Sequence, residues 1–445
     1  MRRTRNTQAG SWTRGRAGRY AATAVGTVAV LASGIFAAAA AQAAAPTTLY
    51  VSQGGLDSGT CTSASPCATV SYALTQAASG ATIEVSGTID DHLTISHPVT
   101  ITTWPSGPAG SPAVLDGTGS GDVVDVDAGG VVLNDLTIEK GSLGILNNVG
   151  GGLTLTDSTV SGNANGGEPY AGIWNYADST MTIIDSTIAK NSSDGAAGAG
   201  IYNTATMTVI ASTISGNTGG GIYSGQDVTA TLGATIVAGN TGGPNCVAYD
   251  AASLDSAGYN LTNDATGTAC SFTAATDLVD KSPALGSLAS NGGPTQTLLP
   301  GAKSPAADVI PKTTTLRGVT VCPGTDQRGV ARPGHGETRC TIGAVEAALT
   351  SPTTTSVTLT PTTVTAGAKV AYLAMVNPKS GTGTPTGTIS FSTGSTSLCT
   401  AVLSGGVAAC GATNAPVGTD KVTGTYSGGD GYASSSGTAT LTVSS

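Results

Sequence analysis

Between Val131 and Asn240, apolar and polar residues alternate in short bursts, and the bursts recur. "VVLNDLTIEKG" starts at Val131, "LTLTDSTVSGN" at Leu153, "MTIIDSTIAKN" at Met181 and "MTVIASTISGN" at Met207, with a looser "ATLGATIVAGN" from Ala230. Leu153 and Leu155 alternate with Thr154 and Thr156, and Met181 and Ile183 with Thr182 and Ile184. Alternation with a period of two predicts a half-buried strand with one face turned inward. The first four copies begin 22, 28 and 26 residues apart, and a period in the twenties predicts a solenoid. A shorter phrase sits inside each period: "GILN" at Gly144, "GIWN" at Gly172, "GIYN" at Gly200 and "GIYS" at Gly221. Each coil therefore carries at least two strands joined by Gly, Asn, Asp and Ser turns.

Stacking such coils with parallel strands about 4.8 Å apart places equivalent residues above one another. Three inward apolar columns follow: Leu133, Leu155, Ile183, Val209; Ile138, Val160, Ile188, Ile214; and Ile145, Ile173, Ile201, Ile222. They predict a continuous core of triangular section. Asn163, Asn191, Asn217 and Asn240 form a further column at a turn, where an amide side chain can satisfy backbone groups and its neighbour above. Length differences fall after the asparagine, as in "ANGGEPYA" and "SSDGAAGA", and predict loops growing from one edge.

Upstream, a strand, a loop between Cys61 and Cys67, a short amphipathic helix near Val70 to Ala78 and a second strand predict a cover for the open end of the solenoid. "GATIEVSGTID" with the coils resembles right-handed parallel β-helix proteins of the pectin-lyase-like superfamily. "GYNLTNDATGTACSF", "TDLVDKSPALGSLASNGGPTQTLLPGAKSPAADVI", "DQRGVARP" and "CTIGAVE", over residues 239–347, resemble the choice-of-anchor Q domain of secreted bacterial β-helix proteins, which implies that this segment completes and caps the helix. After Pro352 the Thr/Pro/Gly-rich blocks "TSVTLTPTTVTAGAKVAYLAMV" and "GTYSGGDGYASSSGTATLTV" resemble a bacterial immunoglobulin-like domain of group three, and strands every 8 to 12 residues suit one sandwich. The expectation is an all-β chain: a signal peptide over 1–43, an N-terminal cap and first coils over 44–130, regular coils over 131–245, C-terminal coils and cap over 246–349, a linker over 350–354 and an Ig-like β-sandwich over 355–445.

Composition agrees: charged residues are 10% and aromatics 4%, with β-formers and turn formers dominant. Six arginines in the first twenty residues, the run "AATAVGTVAVLASGIFAAAAA" and the site Ala41-Gln42-Ala43 read as a secretory signal cleaved before Ala44, although the run is long enough to serve as an uncleaved anchor. Without those arginines, 12 basic residues face 27 acidic ones, a net −15. This excludes nucleic acid and anionic membrane surfaces as natural partners. Choice-of-anchor proteins are named for sorting signals after the domain; the sequence read here ends at Ser445 in none, so a secreted monomer, extracellular or held non-covalently at the surface, is expected. Eight cysteines allow on the order of a hundred pairings; their neighbour spacing favours the local links Cys61–Cys67, Cys246–Cys270, Cys322–Cys340 and Cys399–Cys410, each stabilising by about 3 kcal/mol. In the last, Val402 opposite Val407 predicts a hairpin disulfide.

Candidate chemistry falls into two classes. Asp125 and Asp127 lie two apart on one strand, and Asp135, Asp157 and Asp185 stack as a column that the fourth coil ends with Ala211. Asp125, Asp127, Asp135 and Asp157 are the carboxylates a polysaccharide lyase or glycoside hydrolase acting on acidic glycans would use, with calcium as a conceivable cofactor of the lyase. No Lys or Arg recurs beside the column, only Lys140 and Lys190 lie in the coils, and a solvated turn column is the favoured reading. Asp90-Asp91 and Gly334-His335-Gly336 stand too far apart in the fold to converge. His92, His97 and His335 share no zinc-ligand spacing. Asp326, Arg328, Arg332 and Glu346 read as a structural ion-pair set. The second class is binding: Trp174, Tyr202 and Tyr223 follow the inward isoleucines, so they point outward as a column on which sugar rings could stack; the alternative is aromatic packing across strands that only stiffens the sheet or lies under a loop such as "EPYA". A non-catalytic, adhesin-like or carbohydrate-binding protein is the leading expectation, and a structural stalk is the third.

Overall fold

The computed structural model describes residues 47–445, apart from 109–111, 196–197, 251, 266–268, 302, 323, 335–337, 348–351, 380–382 and 430. Residues 1–43, expected from the sequence to be a signal peptide, lie outside the described residues.

Each regular coil has three main strands, exemplified by Gly152–Thr156, Thr159–Ser161 and Ile173–Asn175, before the next coil opens at Thr180–Ile184; the two-residue strand Ala164–Asn165 pairs with Ser192–Ser193 beside them. Their stacking builds three parallel sheets. A nine-stranded long sheet runs from Thr48–Ser52 to Ser253–Gly258. A seven-stranded sheet, here called the covered sheet, runs from Thr88–Asp90 to Ile236–Ala238, and a third, the aromatic sheet, runs from Leu93–Ile95 to Cys246–Ala248. The registers pair Leu133 with Leu155, Ile183 and Val209, Val160 with Ile138, Ile188 and Ile214, and Ile173 with Ile145, Ile201 and Ile222. All twelve side chains are buried in one core. This is the parallel β-helix that the alternation predicts.

The rest of the repeated phrase is explained at the corners. Between the long and covered sheets the chain passes through a left-handed residue at Asp135, Asp157, Asp185, Ala211 and Ala234, with φ of 55°, 48°, 44°, 49° and 52°. Asp tolerates this region better than most residues, whereas a left-handed Ala costs about 1 kcal/mol. The next residue forms a hydroxyl ladder: Ser158 N–H donates to Ser186 Oγ (3.2 Å), Ser186 N–H to Ser212 Oγ (3.2 Å), and each of these hydroxyls donates back to a carbonyl two residues earlier. Between the covered and aromatic sheets, Asn163, Asn191 and Asn217 are fully buried; each Nδ2 donates to the next Oδ1 at 2.9–3.0 Å, and Asn240 passes the ladder on to Asn245 at 3.0 Å. A second amide ladder, Asn147 to Asn175 to Asn203 at 2.8 and 2.7 Å, closes the aromatic strands. It is the final letter of "GILN", "GIWN" and "GIYN". The first letter is a matter of space: a Cβ on Gly200 would stand 2.6 Å from Gly221 O and 2.9 Å from Asn217 Nδ2.

The N-terminal end is closed by α1, Val70–Gln76, whose Val70, Ala73 and Leu74 join the core and whose N-cap Thr69 accepts the Tyr72 N–H. Asp91 accepts the Ser71 N–H (2.8 Å) and hydroxyl (2.7 Å). The segment after Gly258 departs from a simple end cap. Leu261 and Leu278 add bridges beyond Ile236, and the chain then returns along the outer face of the covered sheet. Gly343 N–H reaches Ala234 O, Ala344 N–H reaches Thr213 Oγ1, Gln327 bonds Thr187, Thr159 and Ser158, and Thr159 donates to Gln296 O. Ile210, Ile236, Ile310, Val321 and Ile342 form a second apolar core under this flap. From Thr159–Ser161 to Ile236–Ala238 the covered sheet is thus buried on both faces, as parallel sheets usually are.

The C-terminal module has a three-stranded sheet, Thr353–Thr360, Val370–Pro378 and Val407–Ala412, and a five-stranded one that includes Thr388–Thr393, Thr396–Val402, Gly418–Tyr426 and Ser435–Ser444. Tyr372, Phe391, Val422, Tyr426 and Leu441 fill its core. The hairpin expected around Cys399 and Cys410 is not what forms. Thr396–Val402 and Val407–Ala412 belong to different sheets, because after a bridge between Ser404 and Val407 the chain crosses to pair with Val370–Pro378. The Cys399–Cys410 disulfide therefore ties the two sheets together.

Gly200→Ala is expected to lower stability by about 2–3 kcal/mol through overpacking, whereas Gly167→Ala, with open space around its Cβ, is expected to be neutral. Urea unfolding followed by circular dichroism checks both.

Candidate functional site

The outward column of the aromatic sheet reads Thr94, Asp125, Leu146, Trp174, Tyr202, Tyr223, Val247 by strand register. Trp174, Tyr202 and Tyr223 are all half-buried, because their rings pack on one another and on rings from the adjoining turns and loops. Tyr202 and Tyr223 stack with centroids 4.4 Å apart and planes 12° apart. Tyr170, from the "EPYA" loop, lies against Trp174 at 4.2 Å. Tyr176 meets Trp174 edge-on at 4.8 Å, and Tyr249 continues the row beyond Tyr223 at 6.4 Å. Tyr176 and Tyr249 are the open members, 37% and 57% exposed. Ring faces in the middle are thus occupied by neighbouring rings, and the row presents edges, hydroxyls and its two exposed tyrosines. Burial, then the Tyr223 hydroxyl beside it, push the Tyr202 phenol up to about 12, so it remains a neutral donor.

The aspartates of the sequence reading do not form one group. Asp125 is on the aromatic sheet, in the strand Asp122–Val126, and Asp127 is exposed just beyond it. Asp135 and Asp157 are corner residues between the long and covered sheets, so the four cannot surround one ligand. Asp125 instead shares a strand with Asp122; burial, then the charges of Asp122 and Asp127, push its carboxyl up to about 6. His92 joins this cluster with its Nδ1 2.8 Å from Asp122 O.

The corner column is covered, not solvated as the sequence suggested, because the returning flap reaches it. Arg332, 3% exposed, pairs with Asp185 at 3.1 Å and donates to the carbonyls of Thr341 and Gly343. The basic partner missing within the coils therefore comes from far along the chain. Of the expected ion-pair set, Arg328 pairs with Asp326 at 2.6 Å, while Glu346 accepts from Thr341 N–H and hydroxyl. Burial, then Asp185 and Asp135, push the Asp157 carboxyl up to about 7; burial pushes Asp185 up to about 6 against the pull of Arg332.

No group of three or more His, Cys, Asp or Glu among the described residues is placed to hold a metal ion. His92 and His97 are separate, and His335, with Gly336, lies outside the described residues. All eight cysteines pair as Cys61–Cys67, Cys246–Cys270, Cys322–Cys340 and Cys399–Cys410, which suits an oxidising, extracellular setting. No helix among the described residues is long and apolar enough to cross a membrane.

Residues 357–444 match the bacterial Ig-like domain (group 3). The match accounts for the two antiparallel sheets of the C-terminal module. The coils that carry the aromatic row lie outside it, and no curated protein matches the chain.

Sequence reasoning found Trp174, Tyr202 and Tyr223 but missed Tyr170, Tyr176, Tyr249, Asp122 and His92. Tyr176 was legible as the residue after "GIWN"; the "EPYA" loop was legible as a cover for the column, but the stacking of its Tyr170 on Trp174 depends on the loop's fold.

Because Asp157 and Asp185 bind protons more tightly folded than unfolded, the folded state gains protons relative to the unfolded one between about pH 4 and pH 7. Stability is expected to fall as pH rises through that window. Asp157→Asn, which suits the left-handed backbone, is expected to flatten the fall and to add about 1–2 kcal/mol at pH 8, as measured by melting across pH.

Proposed function

We propose that the protein is an exported, non-catalytic glycan-binding β-helix that works as an adhesin-like surface or matrix protein, with the Ig-like module as a spacer. On this reading the coils sit with secreted pectin-lyase-like proteins, and residues 239–347 act as a choice-of-anchor Q segment. The observation that carries the proposal is the aromatic row. Tyr170, Trp174, Tyr176, Tyr202, Tyr223 and Tyr249 gather on one face, in a chain with only 3 Trp, 12 Tyr and 3 Phe. The longest loops grow beside this face, where variation costs the coils nothing. Aromatic surfaces flanked by hydroxyls and carboxylates match the apolar and hydroxylated faces of a saccharide.

The acid cluster supports binding over hydrolysis. Glycosidases hold their two carboxyls about 5–5.5 Å or 6.5–9.5 Å apart across the scissile bond. Asp122 and Asp125 sit on one strand, each shifting the other's titration, rather than facing each other across a groove.

A glycan array on the purified protein is expected to show binding that Tyr176→Ala/Tyr249→Ala, at the two open rings, weakens by about 1–3 kcal/mol, with circular dichroism unchanged. Reducing-sugar and unsaturated-product assays on acidic polysaccharides are expected to stay at background. Binding that survives the double substitution, or product release, overturns the reading.

A further inference from the structure

We infer that the saccharide taken by the aromatic sheet carries free amines rather than carboxylates, its ammonium groups meeting a frame of carboxylates around the tyrosine row. The inference rests on the glycan-binding reading and specifies its ligand. Four exposed acids, Asp127, Asp178, Asp227 and Asp250, occupy the turns that leave the aromatic strands. The other edge carries exposed Glu168 and Asp194 in the loops that enter them, and Asp122 and Asp125 stand at the foot of the row. Coils rise by about 4.8 Å, so the turn acids form a line along the axis rather than a point cluster.

The pairing of ring with acid is what points to an amine. The two exposed rings of the row each share a turn with an exposed carboxylate, Tyr176 with Asp178 and Tyr249 with Asp250. An ammonium can be held there by a charge-assisted hydrogen bond and by the ring quadrupole together. A uronate polymer would instead bring like charge against the whole frame. Between residues 121 and 260 the only basic residues are Lys140 and Lys190. Lys140 is committed to Asp116 at 2.6 Å and Glu139 at 3.0 Å. Lys190 lies in the turn between the covered and aromatic sheets, before the loop of Asp194.

The test compares three polymers on the purified protein at about pH 5.5, where a primary amine is protonated and exposed aspartates are ionised: a deacetylated β-1,4-linked glucosamine polymer, its N-acetylated counterpart and polygalacturonate. The amine polymer is expected to bind about tenfold more tightly than the acetylated one, and polygalacturonate least. Asp178→Asn/Asp227→Asn/Asp250→Asn, at left-handed positions that Asn accommodates, is expected to erase that preference while leaving the melting temperature unchanged, as is raising the salt. Tyr176→Ala/Tyr249→Ala is expected to weaken both glucosamine polymers. Equal binding of the two, still dependent on the aromatic pair, overturns the amine inference and leaves the aromatic site standing. Tightest binding to polygalacturonate overturns it as well. Binding of the amine polymer untouched by either set of substitutions is surface adsorption and overturns it. No binding to any polymer overturns both readings.

Discussion

Parallel pairing of each strand with its equivalent one coil away is the constraint on which the rest depends. It sets the vertical spacing, so whatever a coil places at one position the next coil must tolerate at about 4.8 Å. Apolar side chains satisfy this by forming continuous columns, which is why Leu155 sits between Leu133 and Ile183. Buried polar groups satisfy it only by bonding their own kind: Asn191 is wholly enclosed, yet it receives from Asn163 and donates to Asn217. The same spacing leaves no room for a Cβ at Gly200 and brings Asp135, Asp157 and Asp185 together at a corner whatever the electrostatic cost.

That constraint decides what was legible in the sequence. Features that repeat in space also repeat in the chain, so the three apolar columns, the Asn163 ladder and the outward aromatic column could be read directly. The left-handed corner was visible as the Asp of "DST", though its meaning was not, because a turn aspartate looks the same whether it serves conformation, solvation or charge. Contacts made once leave no period. Gln327 bonding Thr187 and Thr159, and Arg332 reaching Asp185 across some 150 residues, could not be foreseen from residues that show only local turn chemistry. For the same reason Cys399 and Cys410 looked like hairpin partners: sequence distance is shared by a hairpin and by a strand that changes sheets.

The returning flap alters the electrostatics as well as the packing. A column of three acids in open solvent would ionise at ordinary pH with little consequence. Beneath the flap, Asp157 and Asp185 lose water and one buried arginine compensates only part of their charge, so the corner favours protonated carboxyls. Asp326, beside them, accepts two bonds from the Arg328 guanidinium and one from the Glu346 N–H. Structure and charge are coupled here because the covered sheet needs its second face buried, and the segment that buries it carries the arginine.

On the opposite sheet the stacking constraint works on aromatic rings, and it limits how they can meet a ligand. Rings on successive coils are held at nearly the spacing of two stacked planes, and Tyr202 and Tyr223, 4.4 Å apart and almost parallel, have settled into that arrangement. The central rings therefore spend their faces on each other and stiffen the sheet. A saccharide lying along the axis meets their edges and hydroxyls, and it finds open ring faces only where the column breaks, at Tyr176 on a turn and Tyr249 near the end. Both functions attributed to the row, rigidity and recognition, then belong to different members of it. The most repetitive residues are the structural ones, and recognition falls to the residues at which the repeat lapses.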